Sequence, residues 1–179
     1  DVCDTLEVEV PESVALLRLD TDFYRSTVKE LEVLYPKLTS GGVLIIDEVQ
    51  AGFGRTGRWF GIEHFGVEPD IMALAKGIAS GLPLGAMVAR AEIMDWEAGT
   101  HASTFGGNPV SCAIGMAVMD VIEDEGLQEN AHRTGKYFLN GLKGLKDKYP
   151  LIGDVRGLGL YVGVELVMDR NTLNPATGQ

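Results

Sequence analysis

The feature that most restricts this chain is the run GGVLIIDEVQAGFGRTG, Gly41 to Gly57. Consecutive aliphatic residues, Val43 to Ile46, deliver two adjacent acids, Asp47 and Glu48, into a segment dense in glycine. An apolar run of this kind, without polar alternation, fits a strand buried on both faces, as in parallel sheets covered by helices. The residues ahead of it agree. VALLRL, Val14 to Leu19, has the length of a short buried strand, and Tyr24 to Tyr35 spaces Val28, Leu31, Leu34 and Tyr35 as a helix does. Pro36 and the pair Gly41-Gly42 end that helix and open the strand at Val43. Strand, helix, strand in this order predicts a parallel βαβ unit.

Downstream, Ala51 to Pro69 loses periodicity and reads as loop with a short helix. DIMALAKG, Asp70 to Gly77, is a second apolar run that ends at Lys76, and GAMVAR, Gly85 to Arg90, reads as another strand. Asn108-Pro109 places a good cap before a proline at the first helical position. Ile114, Ala117, Val118, Val121 and Ile122 then support a helix to about Glu125. A second helix is predicted from Leu127 to Tyr149, with Ala131, Phe138, Leu142 and Leu145 on one face. LGLYVGVEL, Leu158 to Leu166, alternates strictly and predicts a single strand with two unlike faces.

Composition excludes more than it assigns. The net charge of −11, from 15 basic and 26 acidic residues, argues against nucleic acid as a partner, since phosphate binding needs clustered Lys and Arg. Cys3 and Cys112 stand far apart with no metal-ligand or redox spacing, so neither a disulfide framework nor a metal site is expected, and a cytoplasmic setting suits them. No apolar run has the length of a membrane span and no secretory leader is visible. The chain is expected to be incomplete at both ends.

Two residues stand where open α/β sheets gather ligands, at the C-terminal ends of strands. Lys76 is a candidate amine nucleophile for a carbonyl, or a lysine that snorkels from a strand end. Asp47 is an acid for a cationic ring nitrogen, or a loop-stabilising cap. Together they suit pyridoxal phosphate, which needs a lysine on its aldehyde and an acid on its pyridine nitrogen. His64 and His101 have no partner at catalytic spacing and read as structural, and Arg55 reads as a loop organiser.

The words around this pair are more specific. LIIDEVQAGFGRTGRWFGIEHFGVEPDIMALAKGIASGLPLGA resembles the core of the class III (ω-amino acid) aminotransferases, pyridoxal-phosphate enzymes of fold type I. HASTFGGNPVSCAIG and IGDVRGLGLYVGVEL continue the resemblance in order, over about Gly42 to Gln179. It implies an α/β chain: part of a fold type I transferase, a three-layer sheet with flanking helices, plus a small C-terminal α/β subdomain. Residues 42–126 would belong to the large, cofactor-binding domain and 127–179 would begin the small one. The resemblance gives Asp47 the pyridine nitrogen, Val49 a face of the ring, Gln50 the phenolic oxygen and Lys76 the covalent attachment and the proton shuttle. Thr104 would bind the cofactor phosphate of the neighbouring subunit, which implies a homodimer. Arg156 would pair with a substrate carboxylate. The implied reaction moves an amino group from an ω-amino acid, 4-aminobutyrate above all, to a 2-oxo acid, in two half-reactions with ping-pong kinetics. Alanine–glyoxylate-type relatives share some of these words.

Ahead of Gly41 a different family is evoked. VALLRLDTDFYRSTVKELEVLYPKLTSGGVLIIDE resembles the end of the macrocin O-methyltransferase (TylF-like) family over about Asp4 to Asp47. There, acids matching Asp20 or Asp22 and Asp47 hold a divalent metal, with Glu48 in place of a second aspartate. Residues 1–41 are thus expected to be a methyltransferase-like βα segment joined to an aminotransferase. A methyltransferase remnant and a catalytically silent fragment are the alternative expectations.

Overall fold

The computed structural model describes residues 2–20, 24–172 and 174–176. Helix α1 (Val2–Val8) leads into strand β1 (Val14–Leu19), helix α2 (Tyr24–Val33) and strand β2 (Leu38–Asp47). Strands β3 (Ile71–Leu74) and β4 (Ala86–Ala89) complete a four-stranded sheet in sequence order. β1, β2 and β3 run parallel and β4 antiparallel to β3. The predicted βαβ unit is therefore present, with two differences at its joints. The helix stops at Val33 and a 3-10 turn at Tyr35–Lys37 carries Pro36, whose missing N–H an α-helix interior would need. The strand then starts at Leu38, and Gly41-Gly42 lie inside it rather than before it.

The core of this sheet comes from both sides of Leu38. Leu17, Leu19, Leu31, Leu44, Ile46 and Ile62 are buried together, with Leu44 fully shielded. Burying each such aliphatic side chain contributes roughly 1.5–3 kcal/mol. A second cluster, Leu74, Ile78 and Ala79, seats the turn after β3. Helix α3 (Pro109–Asp124) packs there, and its Asn108 cap accepts from the amides of Val110 and Ser111 at 3.0 and 3.1 Å.

Helix α4 (Leu127–Lys148) packs on a separate sheet of β5 (Ile152–Leu158), β6 (Tyr161–Asp169) and β7 (Asn174–Pro175). Here the sequence expectation is corrected. Leu158 to Leu166 is not one strand, because the chain turns at Gly159 and Leu160, and β5 and β6 pair antiparallel with Leu158 opposite Tyr161. Gly159 has φ +53, a left-handed conformation that side chains disfavour. A two-residue loop pairs residue i with i+3, so the faces exchange parity at the turn: Leu158 shares its face with Tyr161, and Val155 lies opposite Val164. Among the described residues no helix is long and apolar enough to cross a membrane.

Candidate active site

β2 delivers Asp47 to the C-terminal edge of the parallel strands, opposite Ala73 of β3. Three residues beyond Ala73, Lys76 opens a 3-10 turn, Lys76–Ala79, with φ +45. A lysine held in the left-handed region is strained, and such strain gathers at functional sites. The sequence pattern predicts a buried strand end at this lysine. Instead β3 stops at Leu74 and Lys76 is exposed. Its Nζ donates to Gln50 Oε1 at 2.7 Å.

The turn after β2 is fixed by its own acids. Asp47 Oδ1 accepts from the Val49 amide at 2.9 Å. Glu48, almost wholly buried, accepts from the amides of Gly61 and Ile62 at 2.9 and 2.7 Å and so clasps the start of the 3-10 turn Gly61–Phe65. Its amide donates to Ala73 O and its carbonyl accepts from Gly52. Burial pushes the Glu48 carboxyl above the usual carboxylate range, and the two amide donors offset only part of that. Sequence reasoning left its role open, and no pattern in the chain shows backbone partners so far ahead.

Two cavities adjoin this turn. One of about 230 Å³ has Asp20, Asp47, Glu48 and Arg156 among its walls, and one of about 550 Å³ has Val49, Arg55 and Lys76. Gln50, Tyr161 and Val162 line both. The predicted residues Asp47, Val49, Gln50 and Lys76 are thus brought to one turn and its two flanks. Arg156 enters the smaller cavity, but its Nη1 donates to Asp154 and Glu165 at 2.8 and 3.2 Å. Burial works to lower the Arg156 pKa, yet these two acids outweigh it and raise it. Thr104 sits in an exposed turn ahead of α3 and lines neither cavity. His64 bonds the buried Thr56 hydroxyl at 3.0 Å and His101 stacks on Trp96, which suits the structural reading of both.

The metal acids implied by the methyltransferase resemblance are placed differently. Asp22 lies outside the described residues. Arg18 Nη2 is 2.5 Å from Asp20 Oδ2 and 3.9 Å from Asp47 Oδ2, so a side-chain cation already stands between the other two. Among the described residues no group of three or more acids, histidines or cysteines could hold a metal ion.

Donor chemistry gives a test for a pyridoxal-type group. An amine for an aldehyde, an acid for a ring nitrogen, an amide for a phenolic oxygen and an apolar residue for a ring face stand on adjoining walls. That set fits the ring and its aldehyde.

The family model described as Aminotransferase class-III matches residues 38–177, and that of Macrocin-O-methyltransferase (TylF) matches residues 2–61. An acetylornithine aminotransferase of Caldanaerobacter subterraneus subsp. tengcongensis is 49% identical over 127 residues, covering 71% of this chain and 32% of its own length. Human mitochondrial alanine–glyoxylate aminotransferase 2 is 41% identical over 187 aligned residues, covering 96% of this chain and 35% of the relative. An aminotransferase of Bacillus anthracis superposes with a TM-score of 0.77 at 35% identity, over 99% of this chain and 42% of that one. The chain spans about a third of the length of the curated relatives it matches.

Proposed function

The chain belongs to the class-III aminotransferase family, and on that footing we propose that it carries the lysine-bearing part of a pyridoxal-phosphate-dependent transaminase. The observation that supports this reading best is the strained Lys76 beside Gln50, one turn away from Asp47 at the end of the neighbouring parallel strand. Class-III aminotransferases use pyridoxal phosphate, and the group supplies an aldehyde for the substrate amine and an electron-withdrawing ring.

The chain's own residues divide the remaining work. Lys76 Nζ would hold the cofactor aldehyde, and its free amine would carry a proton to or from the substrate carbon. Gln50 Oε1 accepts from that Nζ and so fixes where the amine stands. Asp47 would hold the ring nitrogen, and the bond from the Val49 amide to its Oδ1 sets the carboxylate's orientation. Val49 offers an apolar face. Thr104, exposed and outside both cavities of its own chain, would bind the phosphate of a partner in a homodimer. Residues 42–126 then form part of the cofactor domain, 127–179 the start of the small domain, and 1–41 a methyltransferase-like βα segment.

The amino donor is an amino acid and the acceptor a 2-oxo acid. A 4-aminobutyrate-type donor accords with the class, while the relatives carry names for acetylornithine and alanine–glyoxylate transfer. Mixing the chain with pyridoxal phosphate should produce a visible absorbance band that borohydride fixes covalently on Lys76. Lys76→Ala should abolish it, and a band that survives the substitution defeats the assignment.

A further inference from the structure

Resting on that reading of the site, we propose that Phe53 is the positioning residue for Lys76. Its side chain seats on Gly77 and holds the lysine's backbone in the left-handed conformation that sends the amine to Gln50. Among the described residues, the non-glycine residues in the left-handed region are Phe53 (φ +56), Lys76 (φ +45) and Ser80 (φ +45). Side chains disfavour that region, bulky ones most of all, so local preference does not explain three such residues in one place. Lys76 opens the 3-10 turn and Ser80 follows its end. Phe53 belongs to a different loop, yet it lies against that same turn. A Cβ placed on Gly77 would stand 3.1 Å from the Phe53 Cβ, and 3.6 and 3.7 Å from its Cγ and Cδ2. Gly77 does not itself have a positive φ, so glycine gives room for Phe53 here and not backbone freedom.

Phe53 is fixed on its other sides. Its ring meets Phe60 edge-on, with centroids 6.1 Å apart and planes at 77°. Both rings pack against Leu74, Ile78 and Ala79, the cluster that seats the lysine's turn. The preceding amide, Gly52, donates to the Glu48 carbonyl at 3.0 Å and ties this loop to the end of β2. One loop therefore grips the lysine at both ends. Gln50 Oε1 accepts from Nζ at 2.7 Å, while Phe53 closes on the residue after Lys76. All three line the larger cavity. A lysine stem is long and flexible, and Lys76 is exposed, so its amine reaches one place only if backbone and tip are both held. A backbone relaxed to negative φ would redirect the side chain and break the bond to Gln50. Reaction with a bound aldehyde depends on that placement.

Two measurements test the proposal, one of them without cofactor. In the chain alone, NMR couplings across the Lys76 backbone should report a positive φ, and Phe53→Ala should reverse its sign. The second is the rate at which pyridoxal phosphate develops the borohydride-fixed band at Lys76. Phe53→Ala should slow it roughly tenfold to a hundredfold, the loss that misplacing a reacting group produces. Phe53→Leu, which keeps γ and δ carbons over Gly77, should retain most of the rate. Phe53→Gly should be as slow as Phe53→Ala, although glycine suits the turn. Gly77→Ala should slow the reaction alone but add nothing to Phe53→Gly, which lacks the Cβ it would meet. Phe60→Leu disturbs the same aromatic pair but not the contact with Gly77, so it should lower the urea midpoint and spare the rate. Rates that follow the urea midpoint across these variants, rates indifferent to Phe53, or a negative φ at Lys76 in the wild type would overturn the proposal and leave the cofactor assignment untouched. Absence of the band, together with a Lys76 φ that reverses in Phe53→Ala, would sink the transaminase reading and leave Phe53 as the residue that holds this lysine.

Discussion

Glu48 shows how much of a site can rest on a side chain that touches no substrate. Its two oxygens take the amides of Gly61 and Ile62, while its backbone joins β3 and the glycine-rich turn. One carboxylate therefore ties the residue after Asp47 to the point where the loop carrying Arg55 ends. Glu48→Gln keeps the shape but turns an amide NH₂ toward a buried N–H donor, which costs about 1–3 kcal/mol. A urea midpoint should register that loss, whereas Glu63→Gln, on the exposed side of the same turn, should move it by less than half as much. The pH dependence has a definite sign. Burial raises the folded pKa of Glu48 above its unfolded value, so the folded state keeps this proton to higher pH. Stability from this group is then greatest at acid pH and declines as pH rises from the ordinary carboxylate value through the raised one. The gap between wild type and Glu48→Gln should widen on acidification, and a gap that narrows speaks against a buried, desolvated carboxylate. Asp47, Lys76 and Gln50 were singled out in the sequence because each belongs to a recognisable word. Glu48 was not, since its partners are backbone amides 13 and 14 residues ahead, and backbone amides leave no signature in composition.

The elements were read well where an apolar period and a breaker coincide, as at β1, α3 and α4. The β5–β6 hairpin was missed because its alternation runs unbroken through the turn, and only Gly159 in RGLGLY marks the reversal. That glycine also closes a three-layer contact. A Cβ placed on it would lie 2.5 Å from the Thr56 carbonyl carbon and 2.8 Å from the Arg55 oxygen, while one on Gly135 of α4 would strike the Gly159 backbone. Helix, hairpin and the loop of Arg55 and Thr56 meet here through main chain alone. Gly159→Ala thus meets both a left-handed φ and backbone that cannot step aside. We expect a loss of about 2–4 kcal/mol in urea unfolding, the range of overpacking and backbone strain combined. Gly141→Ala, on the same helix with open space around it, removes flexibility from the unfolded chain and should stabilise by about 0.5–1 kcal/mol. Two glycine substitutions of opposite sign isolate the contact from helix propensity. Equal effects would mean that the hairpin tip is not seated against the loop.

At the scale of the molecule, the two family matches overlap over residues 38–61, and the sheet shows why such a junction is physically workable. β1 and β2 pair in parallel register from Leu16 opposite Val43 to Leu19 opposite Ile46, so the methyltransferase-like segment enters as an ordinary strand beside the strand that carries Asp47. Leu17 and Leu19 from that strand and Leu31 from α2 bury against Leu44 and Ile46. The superposition on the Bacillus anthracis aminotransferase takes in 99% of the chain, although the aminotransferase family model begins at residue 38. A change of sequence family at the seam therefore accompanies no break in architecture: both families need a βα unit that feeds an acid at a strand end. The segment is then predicted to be structural for the site it precedes. A chain starting at residue 38 loses three buried leucines, each worth about 2–5 kcal/mol on the leucine-to-alanine scale. Their sum matches the roughly 5–15 kcal/mol that holds a whole domain folded. Such a chain should show no cooperative urea transition in its four-stranded sheet and no borohydride-fixed band at Lys76. The 179-residue chain carrying Leu16→Ala, at an exposed position of β1, should keep both. If the shortened chain unfolds cooperatively at the midpoint of the full one, the first 37 residues are a passenger and Asp47 is positioned without them.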